Sequence, residues 1–151
     1  MRLVIQRVSR ASVTVNDEVA AAIGGGLLLL VAVAPGDTMA DVDGAVEKVA
    51  GLRIFADSDG LMNLSILEVG GSALVVSQFT LLADLRRGRR PSFVGAADPG
   101  PAAALLEQFV DRMRSRGIPT ETGAFGRHMV VDIVNDGPVT IVMEVRGGQV
   151  L

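Results

Sequence analysis

The chain has 151 residues, 49% of them hydrophobic, 21% charged and only 3% aromatic, with a formal net charge of −3. That is the composition of a globular chain that buries an aliphatic core, not of a disordered one. With no cysteine and a single histidine, disulfide frameworks, thiolate nucleophiles, zinc–thiolate sites and multi-histidine metal centres are all excluded.

The opening residues, MRLVIQRVSR, interleave charge with apolar side chains and contain no signal-peptide core. Leu3–Val8 and Ser12–Val15 alternate in polarity and are predicted to be extended. Asn16-Asp17 then turns the chain into a further extended segment, Glu18–Ala22. Gly24-Gly25-Gly26 breaks the pattern, and Leu27–Ala34 is apolar at every position, as expected of a strand buried on both faces. This run is far shorter than the roughly 18 residues a membrane span needs. A cytoplasmic protein with no membrane segment is therefore expected, with residues 1–151 forming one domain.

Thr38 followed by Asp41 has the form of a capping box, and the helix after it puts Val42, Val46, Val49 and Leu52 on one face. Asp59-Gly60 predicts a hairpin turn. Ser72–Leu82 is predicted as a strand with a polar interruption at Ser77-Gln78-Phe79-Thr80, and Arg86–Gly100 as a long loop. A second helix is expected to start near Pro101, bury Leu105, Leu106, Phe109, Val110 and Met113, and stop at Gly117 and Pro119. Two strands, Met129–Val134 and Val139–Val145, are expected to end the chain, joined by a turn at Asn135-Asp136-Gly137-Pro138. Grouped strands with two helices between them argue for an α+β fold rather than a regular βαβ array.

The chemistry-bearing candidates are few. His128 stands beside a predicted strand and is expected to be structural or solvent-exposed. A Ser77–His128–Asp132 triad lacks a G-x-S-x-G elbow and any patterning that would bring the three together. Asp57-Ser58-Asp59-Gly60 lacks the further ligands of a calcium loop and is expected to be a turn. The triple glycine leads into a strand, not a helix, so it is no dinucleotide fingerprint. Arg86, Arg87, Arg89 and Arg90 crowd around Gly88 and suit either a solvated loop or one that contacts phosphate. Ser77–Thr80 suits either a capped strand end or a set of backbone N–H groups facing a ligand carbonyl. Gly137-Pro138 suits a turn. Neither of these last two segments identifies an activity alone.

Taken in order, the segments resemble the D-aminoacyl-tRNA deacylase family along nearly the whole chain. The resemblance is carried by M-R-x-V-I-Q-R-V-S-R-A-S-V at the start, G-L-R-I-F at Gly51–Phe55, M-N-L-S at Met62–Ser65 and S-Q-F-T-L at Ser77–Leu81. It continues through G-R-R-P-S-F at Gly88–Phe93, E-T-G-x-F-G at Glu121–Gly126 and N-D-G-P-V-T at Asn135–Thr140. Leu82 departs from the pattern, standing where relatives often carry an aromatic residue.

The resemblance implies a homodimer of packed, mostly antiparallel, barrel-like sheets with two main helices and an active site at the subunit interface. It implies hydrolysis of the ester bond of D-aminoacyl-tRNA, and partly of mischarged glycyl-tRNA(Ala), with no metal or cofactor. Gly137 and Pro138 match a Gly-cis-Pro motif that enters the partner's pocket, holds the substrate amino group and leaves no room for an L side chain. Arg7 matches a residue that locks this motif. Ser77, Gln78, Phe79 and Thr80 would line the ester site, with the N–H groups near Phe79 and Thr80 as oxyanion donors. Phe125 and Met129 match positions around the 3′-terminal adenosine, whose 2′-hydroxyl would activate water; Thr80 is the rival nucleophile. Two other classes are weighed against this reading: an RNA-binding module without catalysis, and an esterase with a serine nucleophile.

Overall fold

The computed structural model describes residues 1–151. In chain order it contains β1 (Arg2–Val15), β2 (Glu18–Ile23), β3 (Gly26–Ala32), α1 (Met39–Gly51), β4 (Phe55–Ala56) and β5 (Met62–Leu64). These are followed by β6 (Ser72–Ser77), a 3-10 turn (Phe79–Leu82), α2 (Pro99–Ser115), β7 (Thr120–Thr122), β8 (Val130–Arg146) and β9 (Gln149–Val150). Seven strands form one sheet in the order β7-β6-β3-β1-β8-β9, with β2 also paired to β1; β4 and β5 make a separate ribbon. The pairs β3–β6 and β6–β7 are parallel and the others antiparallel. The fold is α+β with two helices, as the element order predicts, and its sheet is mostly antiparallel and curled, as the resemblance implies.

Strand β3 explains the architecture. Leu27, Leu29 and Val31 point into a core built with Val42, Val46 and Val49 of α1 and Phe109, Val110 and Met113 of α2. Leu28 points the other way, into a second cluster with Val8, Val13, Ile23, Leu74 and Val76. A strand with apolar cover on both faces has no polar alternation to show, which is why Leu27–Ala34 reads as continuous. The second cluster lies inside the curl of the sheet, where β2 returns to touch β6 and β7. Gly26 permits the β3–β6 crossing, because a Cβ there would lie 1.8 Å from the Ser72 carbonyl oxygen.

Helix α1 starts as its capping box predicts. The N–H and hydroxyl of Thr38 donate to Asp41 Oδ2 at 2.8 and 3.0 Å, and the N–H of Gly148 donates to Asp41 Oδ1 at 3.1 Å. Burial pushes the Asp41 carboxyl up, but these donors outweigh it and leave its pKa below the ordinary value of 3.8. A carboxylate with a depressed native pKa contributes stability that is present above 3.8 and lost as pH falls through the lowered value. Between pH 6 and pH 3 the urea midpoint of the wild type should therefore fall further than that of Asp41→Asn. Equal falls would contradict this assignment.

Several elements depart from the sequence-based expectation: Leu3–Val8 and Ser12–Val15 are parts of one strand, β1, and β7 and β9 are additional to the expected strands. Strand β6 stops at Ser77 instead of running to Leu82. The Gln78 N–H takes the last rung, on the Val31 carbonyl at 2.8 Å; β3 itself ends at Ala32, so the chain turns. Helix α2 begins at Pro99, before Pro101. The two expected C-terminal strands are one strand, β8, which pairs with β1 on both sides of Asp136–Val139. The register steps from Gln6↔Thr140 to Val8↔Asn135, so Asp136–Val139 is a bulge within a strand and not a hairpin turn.

Candidate active site

The end of β6 opens on a cavity of about 710 Å³. One wall is Val31–Val33 and Val76–Phe79, where β3 and β6 finish side by side. The facing wall comes from Phe93, Ala96 and Ala97 of the loop before α2 and from Ala102 and Leu106 of α2 itself. The Ala97 N–H donates to the Val33 carbonyl at 2.9 Å and ties this loop to β3. Phe125 to Met129 closes the third side. Phe79 and Phe93 meet edge to face with centroids 5.1 Å apart, although Phe79 is 52% exposed. Aromatic surface left open at a cavity mouth is a docking place for a flat apolar group.

The 3-10 turn at the cavity mouth has a specific electrostatic consequence. Its own bonds begin with the Leu81 N–H donating to the Gln78 carbonyl at 3.2 Å. The N–H groups of Phe79 and Thr80 therefore have no acceptor inside the turn. Gln78 Nε2 donates to Thr80 Oγ1 and holds that hydroxyl. Ser77, Gln78, Phe79, Phe125 and Met129 line the cavity, whereas Arg7, Thr80, Gly137 and Pro138 do not. His128 also lines it, exposed beside Arg127, while Asp132 lies in a different groove with Arg10 and Ser12. Ser77 and His128 thus share a cavity without the third member of a triad.

Gly137 and Pro138 form a separate feature: the exposed tip of the β8 bulge, joined by a cis peptide bond. Two side chains hold the bulge. Arg7, whose side chain is 14% exposed, donates from Nε to the Asp136 carbonyl at 2.8 Å and from Nη1 to the Ile54 carbonyl. Asn135 bridges the neck: its Oδ1 accepts from the Val139 N–H at 2.8 Å and its Nδ2 donates to the Val139 carbonyl at 3.0 Å. Sequence reasoning did not single out Asn135. The available signal was its place before Gly137-Pro138, where a side-chain amide can replace the missing ladder bonds.

Residues 4–144 match the family model described as D-Tyr-tRNA(Tyr) deacylase. The chain belongs to the D-aminoacyl-tRNA deacylase family. It is 57% identical to the D-aminoacyl-tRNA deacylase of Thermomicrobium roseum, with 98% of each chain covered. It is 58% identical to the D-aminoacyl-tRNA deacylase of Chloroflexus aurantiacus, covering 95% of this chain and 90% of that one. A solved structure named c-Myc DNA Unwinding Element Binding Protein superposes with a TM-score of 0.91 at 38% identity, covering 97% of this chain and 99% of that one. None of the helices that carry this deacylase-family fold is long and apolar enough to cross a membrane.

The arginine cluster lies on the same loop as Phe93. Asp84 and Ser92 exchange backbone hydrogen bonds at 2.7 and 3.0 Å and clamp its two ends. Arg86 folds back on Asp84, with Nε and Nη2 at 2.9 and 2.7 Å from the carboxylate oxygens. These bonds, with the Arg86 N–H, hold the Asp84 carboxyl down at about 2 and raise the Arg86 guanidinium.

Proposed function

We propose that this chain hydrolyses the ester of D-aminoacyl-tRNA, and of glycyl-tRNA(Ala) in part, as a homodimer in which each subunit reads chirality in the other's cavity. The observation that carries the reading is the separation of two features within one chain. Ser77, Gln78, Phe79, Phe125 and Met129 surround one cavity, while Gly137 and Pro138 project elsewhere, exposed and braced by Arg7 and Asn135. A braced tip with no pocket of its own has a use if it enters the cavity of a second copy. Strand β8 supports this, because apart from the short β9 at its end it pairs only with β1, and it leaves Val130, Ile133, Val134 and Val142 exposed.

In the proposed reaction the terminal adenosine rests against Phe125 and Met129, and the aminoacyl carbonyl faces the N–H groups of Phe79 and Thr80. Water, activated by the ribose 2′-hydroxyl, attacks the carbonyl carbon. The negative charge on the carbonyl oxygen is met by those N–H groups, and a donor of this kind contributes about 2.7–4 kcal/mol in other enzymes. The bond to the ribose oxygen then breaks, that oxygen takes a proton, and the free D-amino acid and the tRNA leave. The backbone carbonyls of Gly137 and Pro138 from the partner subunit hold the α-amino group. An L side chain would then collide with the clamp, while glycine, having none, would enter. No metal or cofactor is assigned a part.

Complementation tests the shared site. Gly137→Ala lacks a working tip, and Ser77→Phe fills the ester end of the cavity. Co-refolding the two inactive variants should restore about a quarter of wild-type turnover, because half the dimers are mixed and each has one intact site. No recovery, with mixed dimers demonstrated, would contradict the cross-subunit reading. Thr80→Ala asks a separate question. If backbone N–H groups supply the catalysis, it should keep its rate within about tenfold. Normal tRNA binding with no turnover would instead identify the Thr80 hydroxyl as the nucleophile. A chain that binds D-tyrosyl-tRNA and leaves the ester intact would be a nucleic-acid-binding module, the alternative that the likeness to a named DNA-element-binding protein favours.

A further inference from the structure

We propose that Arg87, Arg89 and Arg90, continued by Arg127 on the cavity rim, form a phosphate-binding track for the single-stranded 3′ end of tRNA. The identity of the partner rests on the deacylase reading. The chemistry rests on the loop itself.

The loop is built to present cations. Its ends are clamped by the Asp84–Ser92 bridge, and Gly88, at φ +70°, lets the tip turn where a side chain would be strained. Arg86 is internal to this frame, because Asp84 pairs with it and neutralises it. Arg87, Arg89 and Arg90 differ: they are exposed, and none belongs to any of the chain's seven ion pairs. Arg127 is likewise exposed and unpaired, and it borders the cavity directly. Free guanidinium groups are concentrated here on a chain whose net charge is −3, so they are not part of a general basic surface.

Position gives the track its direction. Phe93 follows Ser92, the closing residue of the clamp, and forms the cavity wall edge-on to Phe79. Whatever the loop binds is therefore led to the cavity mouth, which Arg127 also lines. A guanidinium pairs with a phosphate through two parallel N–H bonds, and three unpaired ones within the four positions 87–90 suit a run of successive phosphates. The aromatic mouth then receives the last base.

The experiment measures affinity for uncharged tRNA across a salt series with three full-length proteins. These are the wild type, Arg87→Gln/Arg89→Gln/Arg90→Gln, and Asp84→Asn/Arg86→Gln. Every phosphate of a single strand that the protein no longer neutralises reduces the slope of log affinity against log salt by about 0.7, so the triple variant's slope should fall by about 2. The Asp84/Arg86 double variant removes a neutral pair and should keep the wild-type slope. Turnover supplies the second readout. On D-tyrosyl-adenosine, which has no phosphate, the triple variant should match the wild type, while on D-tyrosyl-tRNA its KM should rise at least tenfold. An unchanged slope and KM, or equal losses on both substrates, would overturn the track. A wild type that cleaves neither substrate while the triple variant still shows the reduced slope would overturn the deacylase reading and leave the track standing.

Discussion

Gly137→Ala should lower turnover of D-tyrosyl-tRNA by about 100-fold or more while the chain stays folded. The cause is local crowding at the bulge tip. Gly137 has φ +152°, and an added Cβ would sit 2.7 Å from both the Val139 N–H nitrogen and Val139 Cγ2, and 3.3 Å from Arg7 Nη2. The backbone nitrogen cannot yield independently, because it donates to the Asn135 side-chain amide, and the next residue, Thr140, is back in register with Gln6 of β1. The tip must shift, and a displacement near 1 Å in a positioning group is enough for a loss of this size. The tip itself is exposed, so the chain should stay folded, with only a modest fall in the urea midpoint from the crowding of Val139, which is buried in the core. Turnover within a few-fold of wild type would show that the tip has no part in the site.

Arg7→Gln should reduce the same rate by a similar factor, with a measurable cost in stability. Arg7 is the only side chain that ties the bulge to the segment before β4, through the carbonyls of Asp136 and Ile54. Hydrogen bonds from a charged donor are worth about 1.5–3 kcal/mol, so urea unfolding should show a loss in that range. Lysine should restore the charge but not the fork that reaches both carbonyls, and should rescue activity only in part. Since Arg7 and Gly137 act on one structural unit, the double variant should be little worse than either single one. Additive losses would mean that Arg7 works through some other neighbour.

Local order was legible in the sequence wherever it depends on neighbours in the chain. Thr38 and Asp41 announce α1 because a capping box is written within four residues, and Leu27–Ala34 announces a doubly covered strand. Asn135–Pro138 was misleading for the opposite reason. Its composition is that of a turn, and what keeps β8 a single strand across it is β1, which pairs with it on both sides of the bulge from more than a hundred residues away. The end of β6 follows the same logic, since Ser77 is the last residue with a β3 neighbour to pair with. At the candidate site, the family resemblance pointed to Ser77–Thr80, Phe125 and Met129. The places of Phe93, Leu106 and Arg127 on the cavity came only with the tertiary structure; Leu106, read as core from its helical spacing, packs against the core and lines the cavity as well.

The proposed mechanism requires the chain to distinguish D from L at the α-carbon of an aminoacyl ester. Wild-type protein in excess should be mixed with D-tyrosyl-tRNA and, in parallel, with L-tyrosyl-tRNA, and the remaining ester counted over time. The D ester should be lost rapidly, while the L ester decays no faster than it does without protein. Cleavage of both esters at similar rates, or of neither, would contradict it.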